Sequence, residues 1–475
     1  MGIDISTFYT YRWRYWIGYG FIGVLLVSLI IFAGLYVPGG ISSQEMESVV
    51  KSSTISLTHL DSLAVTNLPY HLLQRASIAI FGVTDFSIKL PSLLLGILAA
   101  VGLIVLLRRW FRPYIAFLAS AIAVTTGQFL FIAQSGTPDI LYVLWAVWLL
   151  LLGTLIAKRA HPRTLWKILF FVVSALSLYT PLSVYALVAL GAATVLHPHL
   201  RFIIRQLSKK RLAGAFVLGV LITIPLLLGV LKSPELGLTI LGIPTQWPNV
   251  SANLSLLSQQ YLGFTASSTT GLMTPVFGLG SMLIIGFGMY RLIRTRQSTQ
   301  SYLIIIWFLC LIPLLITNPL YTSATFLPLV LLLATGLGSL LGYWYRLFPR
   351  NPYARITGLI PLVILVIALV LTGLERYVYG YRYDPQTMAN FSQDLSLLPR
   401  DSGPLVVSNE QLPFYQVVSA HRKGLAVATD PSSKATFVAT KAAKKEYQGY
   451  RIDRIITTTT YKNADRFYIY KKTGE

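Results

Sequence analysis

About eleven stretches of this chain are long and apolar enough to cross a bilayer as helices, and no other feature narrows the fold as much. They lie near 17–37, 90–107, 114–132, 140–157, 165–179, 182–196, 213–231, 274–290, 302–316, 323–345 and 356–375. In lipid every backbone polar group must be satisfied within its own segment, so each run is expected to be a helix. Only 12% of residues are charged and the mean hydropathy is +0.64, more apolar surface than a water-soluble fold can bury. The net charge of +22 would suggest nucleic acid in a soluble protein. Here the basic residues sit in short clusters between apolar runs, where the bilayer accounts for them.

Those clusters test the count, because Lys and Arg collect in alternate loops. They fall at Arg12 and Arg14, Arg108 to Arg112, Lys158 to Lys167, Arg201 to Arg211, Arg291 to Arg296, and Arg346 to Arg355. The opposite loops hold only Lys51, Arg75 and Lys89, with Lys232 at a boundary. An odd number of spans then puts the N-terminus in the cytoplasm, with the first span as a signal anchor, and the C-terminal hundred residues outside. Of the seventeen Asp and Glu residues, all but Asp4 fall on that outer side or at its membrane boundary. Carboxylate chemistry is expected there. The lone Cys310 lies in an apolar run, so no intramolecular disulfide can form.

The pattern predicts a mainly α polytopic membrane domain over 1–375 and a small extracytoplasmic α/β domain over 376–475. In the second, β-type runs appear at 404–408, 425–429, 436–440, 455–461 and 466–471, with a hairpin turn at 462–465 and a helix over 386–398. The loop 233–272 carries no Lys or Arg and contains Gln246, Trp247, Gln259, Gln260 and Tyr261, so it is a candidate functional loop.

The first outer loop, 39–89, concentrates chemistry in a chain poor in charge: Glu45, Glu47, Asp61, Asp85, Arg75, Lys89, His59 and His71. Ser42 followed by Glu45 is a capping box at the start of one helix, and Asn67-Leu-Pro-Tyr-His71 opens a second amphipathic helix ending at Gly82. Two such helices suggest a platform on the bilayer. Glu45 or Glu47 could also be a general base just outside the membrane. His59 and His71 with Asp61 or a glutamate offer donors for a divalent ion, but ligation needs three or four convergent groups, so no metal site is assigned. Arg75 and Lys89 either bind a phosphate or snorkel to lipid headgroups. Asp139 is either a functional carboxylate or an N-cap.

The order of these motifs resembles the GT-C membrane glycosyltransferases of the protein mannosyltransferase and aminoarabinose transferase type. The acidic pair comes first, then Asn67-x-Pro-Tyr70, then Phe81-Gly-Val-Thr-Asp-Phe-Ser-Ile-Lys-Leu-Pro-Ser92, then a basic turn after the second span. The similarity is good over 39–155. It implies inverting transfer of a sugar from a polyprenyl-phosphate donor to a glycan, lipid or protein acceptor on the extracytoplasmic face. It implies catalytic roles among Glu45, Glu47 and Asp139, the last matching the family's second acidic site, and substrate binding by Arg75, Lys89, Asn67, Tyr70 and His71. The family usually has Asp-Glu where this chain has Gln44-Glu45, so the role of base passes to Glu45 or Glu47, or the protein is an inactive scaffold that keeps the fold. The family often has Arg where Thr137 stands and Arg where Lys89 stands. A transporter would place ionisable groups at the bilayer midplane and repeat its halves, and this chain does neither.

Overall fold

The computed structural model describes residues 13, 16–24, 27–28 and 40–473, apart from 57, 159–162, 207–208, 263–275, 297, 348–352, 354–356, 358, 383–390, 392, 400–402, 423, 432–434 and 459–464. The first expected span therefore lies mostly outside the described residues. The polar loop that follows holds two helices, α1 (Ser43–Thr54) and α2 (Leu68–Phe81), joined through a 3-10 turn at Leu60–Leu63. The capping box starts α1 as expected: Ser42 N–H donates to Glu45 Oε2 at 2.8 Å and Glu45 N–H to Ser42 Oγ at 3.2 Å. Gly82 stops α2 at φ 71° and ψ −177°, a backbone conformation open essentially to glycine alone.

The helical bundle follows: α3 (Asp85–Trp110), α4 (Pro113–Val124), α5 (Gly127–Gln134), α6 (Ile140–Ala157), α7 (Arg163–Ser177), α8 (Ser183–Leu196), α9 (Pro198–Arg205) and α10 (Lys209–Lys232). Then come α11 (Pro234–Leu241), α12 (Val250–Leu262), α13 (Leu279–Arg294), α14 (Thr299–Thr317), α15 (Phe326–Leu347) and α16 (Leu359–Arg382). Among the described residues six helices are long and apolar enough to cross a membrane, or up to eight if each bent pair forms one span. The count of eleven is not fixed by this, since α13 has 16 residues and α7 has 15. The expected span at 114–132 is broken by 61° between α4 and α5, where Thr125 and Thr126 turn their hydroxyls back onto the carbonyls of Ala121 and Ala123, both at 2.8 Å. α9 lies at 93° to α8.

The ends of the bundle differ in charge. The α3 and α6 C-termini meet where Trp110 Nε1 donates to Thr154 Oγ1 at 2.8 Å and Lys158 Nζ to the Arg109 carbonyl at 2.7 Å, and Arg291 at the end of α13 reaches Ser339 near the end of α15. This is the basic end. The opposite, acidic end carries Asp85, Asp139 and the two loop helices.

α13 and α15 cross closely. Gly288 faces the Leu332 carbonyl and Gly336 the Ile284 carbonyl, so near that a Cβ on either glycine would overlap backbone. Gly336→Leu is expected to cost ~1–3 kcal/mol or more of stability. Gly342→Leu, in open space on the same helix, is expected to cost far less, and thermal unfolding of both variants in detergent checks the difference.

The C-terminal segment forms a five-stranded sheet in the order β2-β1-β3-β5-β4, from β1 (Leu405–Val406), β2 (Val427–Ala428), β3 (Thr436–Thr440), β4 (Tyr450–Thr457) and β5 (Asp465–Lys472). β1 pairs in parallel with β2 and β3, and β5 antiparallel with β3 and β4. The fourth strand lies earlier than the expected 455–461, and most of the expected hairpin turn falls outside the described residues. The parallel β1–β2 pair needs a crossover, supplied by α17 (Leu412–His421), which the sequence reading missed although Phe414, Tyr415 and Val418 mark a helical face. Where a helix over 386–398 was expected, Gln393 instead bridges to Ile41 and Leu395–Leu397 forms a 3-10 turn. A tertiary partner for the Gln393 backbone overrides the local helical preference; residues 386–390 lie outside the described residues.

This sheet does not pack alone. Ile41, Met46, Val49, Ile78 and Ile88 share one apolar core with Leu405, Phe414, Tyr415, Val438 and Phe467, so the first outer loop is clamped beneath the C-terminal domain.

Candidate active site at the acidic end

The site is built around the short link Ser135–Pro138 between α5 and α6, which ends on Asp139. Its peptide at Gly136 is gripped from both sides. Gly136 N–H donates to Glu45 Oε1 at 2.5 Å, and the Gly136 carbonyl accepts from Gln74 Nε2 at 3.1 Å. Gln74 Nε2 also lies 3.1 Å from the Ile88 carbonyl, and its Oε1 accepts from Ser48 at 2.9 Å and Ser52 at 2.7 Å. His71 Nδ1 completes the chain 2.8 Å from Ser52 Oγ. Next along the link, the Thr137 carbonyl accepts from Ser92 Oγ at 3.2 Å, and Ser92 is 2.9 Å from the Tyr70 hydroxyl. Thus α1, α2 and α3 all fix one five-residue segment. Only glycine fits at 136, since a Cβ there would meet Ile88 Cγ2 at 2.7 Å.

What this scaffold presents is Asp139. Its carboxylate accepts from the Thr137 hydroxyl at 3.0 Å and makes no cap bond to α6, although it stands at the N-cap position. The bland role the sequence allowed for it is therefore not the one it plays. The side chain is half-buried, and that desolvation raises its pKa above the ordinary carboxylate value, against the lowering effect of the Thr137 bond. Tyr70, Tyr142 and Tyr321 surround it closely enough to feel its charge, with the Tyr142 and Tyr321 rings 6.0 Å apart.

The other sequence candidates divide. Glu45 is fully buried, and each of its oxygens accepts a backbone N–H, so the arrangement makes it a bracket between α1 and the Gly136 link. Glu47 is exposed and ion-paired with Lys51 at 2.7 Å, one helical turn on. Gln44 is exposed. Tyr70 and His71 are buried in the bracing network. Asn67 is buried at the start of α2 in the left-handed region, φ 57°, with its N–H on the Tyr179 carbonyl at 2.7 Å. Its Oδ1 has no partner among the described residues. Arg75 is exposed, whereas Lys89 is buried, donating to the Gly40 carbonyl at 3.1 Å with its ammonium 5.7 Å from the Phe391 ring centre. Lys89 thus does not snorkel to lipid headgroups: it ties the start of α3 to the segment under the C-terminal domain. His59 is exposed, and the side chain of Asp61 lies outside the described residues. Among the described residues no three His, Cys, Asp or Glu side chains converge as metal donors. On the loop 233–272, the Tyr261 hydroxyl pairs with that of Thr325 at 2.6 Å, while Trp247 is exposed and 263–272 lie outside the described residues.

Sequence reasoning missed Gln74, Ser52, Ser92 and Gly136. The first had a signal: Asn67, His71, Gln74 and Ile78 fall on one face of α2 at helical spacing, and a polar stripe facing inward must find partners.

Burial also fixes the charge state of His71. Desolvation, aided by the Lys51 charge, lowers its pKa to about 4, so the ring is neutral in the folded protein near pH 7. Unfolding returns it to an ordinary value near 6.5, so the unfolded chain takes up the proton first as pH falls. Stability from this group is complete above about pH 6.5 and is lost toward pH 4, on the order of 3 kcal/mol in all. The melting temperature of wild type is therefore expected to fall more steeply between pH 7 and 4 than that of His71→Asn, measured in the same detergent.

Comparison with known proteins gives a consistent picture. The family model for dolichyl-phosphate-mannose-protein mannosyltransferases matches residues 68–228, about a third of the chain. No curated protein matches the sequence significantly. Among solved structures, ArnT from Cupriavidus metallidurans bound to undecaprenyl phosphate superposes with a TM-score of 0.54 at 13% identity, over 95% of this chain and 98% of that one. An oligosaccharyltransferase from Archaeoglobus fulgidus tethered to an acceptor peptide gives 0.50 at 13% identity, over 87% of this chain and 64% of that one. The chain thus spans less than two thirds of the archaeal enzyme's length, while matching ArnT nearly end to end.

Proposed function

From the premise that this chain has the fold of the GT-C membrane glycosyltransferases, we propose that it transfers a sugar from a polyprenyl-phosphate donor to an acceptor bound at the acidic end of the bundle. The observation that carries the proposal is Asp139: a half-buried carboxylate with no structural bond to its own helix, on a link that three other helices hold still.

In the proposed reaction the acceptor's O–H or N–H gives its proton to Asp139. The freed lone pair attacks the anomeric carbon as the bond from that carbon to the donor phosphate oxygen breaks, which inverts the centre. The electron pair leaves with the polyprenyl phosphate, and an adjacent cation eases its departure. Of the three first-loop cations Arg75 is exposed and can meet a lipid phosphate, whereas Lys51 is paired with Glu47 and Lys89 is engaged beneath the C-terminal domain. By the distribution of Lys and Arg the basic end faces the cytoplasm, which puts Asp139 and the C-terminal domain outside the cell membrane. A glycan, lipid or protein acceptor would enter beside that domain.

One observation favours a second reading, a scaffold that keeps the fold without activity: Gln44 replaces an expected acid and Glu45 is committed to backbone amides. A transfer assay in membranes with radiolabelled polyprenyl-phosphate sugars separates the two. Label moved by wild type and lost in Asp139→Asn supports the enzyme; folded wild type that moves no label from any donor supports the scaffold.

A further inference from the structure

An open cavity of about 830 Å³ lies at the basic end of the bundle, lined by the end of α3, by α6 to α10 and by the start of α14. Its volume is that of a site for a sizeable ligand. The walls are apolar, with Phe170, Leu187, Leu190, Ile203, Phe216 and Leu303 among them, and among the described residues no Asp or Glu lines it. Cations line it as well, Arg109 and Lys158, whose ammonium is pinned at the Arg109 carbonyl, and the His199 imidazole is also part of the lining. α9, at 93° to α8, contributes Leu200, Ile203 and Ile204 to the wall, while Arg201 turns back to the Val195 carbonyl at 3.1 Å. A short helix bent sharply from its neighbour, with Leu200, Ile203 and Ile204 toward the cavity and Arg201 and Arg205 along its length, has the form of an element lying in a membrane interface.

We propose that this cavity is a binding site for an anionic phospholipid, its acyl chains between α7, α8 and α10 and its phosphate at Arg109, Lys158 and His199. An apolar interior with positive charge at the basic rim and no negative charge is complementary to an amphiphile with an anionic head. Arg and Lys supply charge-assisted hydrogen bonds to phosphate oxygens. The site stands at the far end of the bundle from Asp139 and does not depend on the transfer reaction.

Native mass spectrometry of the full chain in detergent, with phosphatidylglycerol and phosphatidylcholine added at equal concentration, tests it. Wild type is expected to retain phosphatidylglycerol at least about tenfold over phosphatidylcholine. Arg109→Ala combined with Lys158→Ala is expected to erase that preference. Gly191→Phe places a ring in the cavity, where nothing now stands within 4 Å of a Cβ, and is expected to retain neither lipid. Gly214→Phe makes the same change in open space on α10 outside the cavity and is expected to bind as wild type does, which separates occlusion from misfolding. Equal retention of the two lipids by wild type overturns the proposal. So does phosphatidylglycerol bound undiminished to Gly191→Phe, or displaced completely by added polyprenyl phosphate.

Discussion

Asp139→Asn is expected to lower sugar transfer by about 10²–10⁴-fold, the range for removing a positioned general base, while leaving the fold intact. The substitution keeps shape and the acceptor for the Thr137 hydroxyl but removes the ability to take a proton. Its effect on stability has the opposite sign to its effect on activity. Burial raises the Asp139 pKa in the folded protein above the unfolded value, so ionising it costs the folded state, and stability from this group declines as pH rises through the folded pKa. Near neutral pH the amide is therefore expected to melt at the same temperature as wild type or higher. The same raised pKa places the acid limb of the wild-type pH–rate profile above the ordinary carboxylate range, with activity growing as the carboxylate deprotonates. Transfer rate, melting temperature and pH profile on wild type and Asp139→Asn check all three. Full activity in the asparagine variant would remove Asp139 from the chemistry.

Breaking the Gly136 bracket is expected to act differently, lowering activity and stability together. Glu45→Ala strips the Ser42 and Gly136 N–H groups of their acceptor, and Gln74→Leu leaves the Gly136 carbonyl and the Ser48 and Ser52 hydroxyls short of a partner. Each buried group so orphaned costs ~1–3 kcal/mol. Either variant is expected to lose several degrees of melting temperature, and its transfer rate to fall because Asp139 is no longer held. The comparison with Asp139→Asn decides the role of Glu45. If Glu45 were the base, Glu45→Gln would abolish transfer with little change in melting; as a bracket, Glu45→Gln loses one N–H acceptor, lowers the melting temperature and retains measurable transfer. Parallel melts and single-turnover assays distinguish these outcomes.

Several features of the site were written locally. The capping box at Ser42 and Glu45 and the stop at Gly82 each depend on residues within one turn of chain, so sequence suffices to place them. Asp139 was legible as a candidate because it is the only carboxylate between residues 86 and 234 and stands where the resemblance puts a second acidic site. Its freedom from capping was not legible, because that depends on the link's backbone path, set by Glu45 and Gln74 from far along the chain. Lys89 shows the same limit: its place on the loop suits a phosphate ligand or a snorkelling side chain, and only the return of Gly40, Phe391 and Gln393 to this part of the fold decides that it is buried.

The sequence by itself determined the solvent this protein folds in, the helical character of its apolar runs, the separation of its charges between two ends, and a loop rich in carboxylates. Each follows from transfer free energy and helix periodicity, which act residue by residue. The tertiary structure alone decided which carboxylate is free and which is structural, that the C-terminal sheet shares its core with the first loop, and that a cavity with a basic rim opens at the other end. Those outcomes rest on contacts between segments tens to hundreds of residues apart, and hydrogen-bond satisfaction in a buried site depends on which distant groups arrive there.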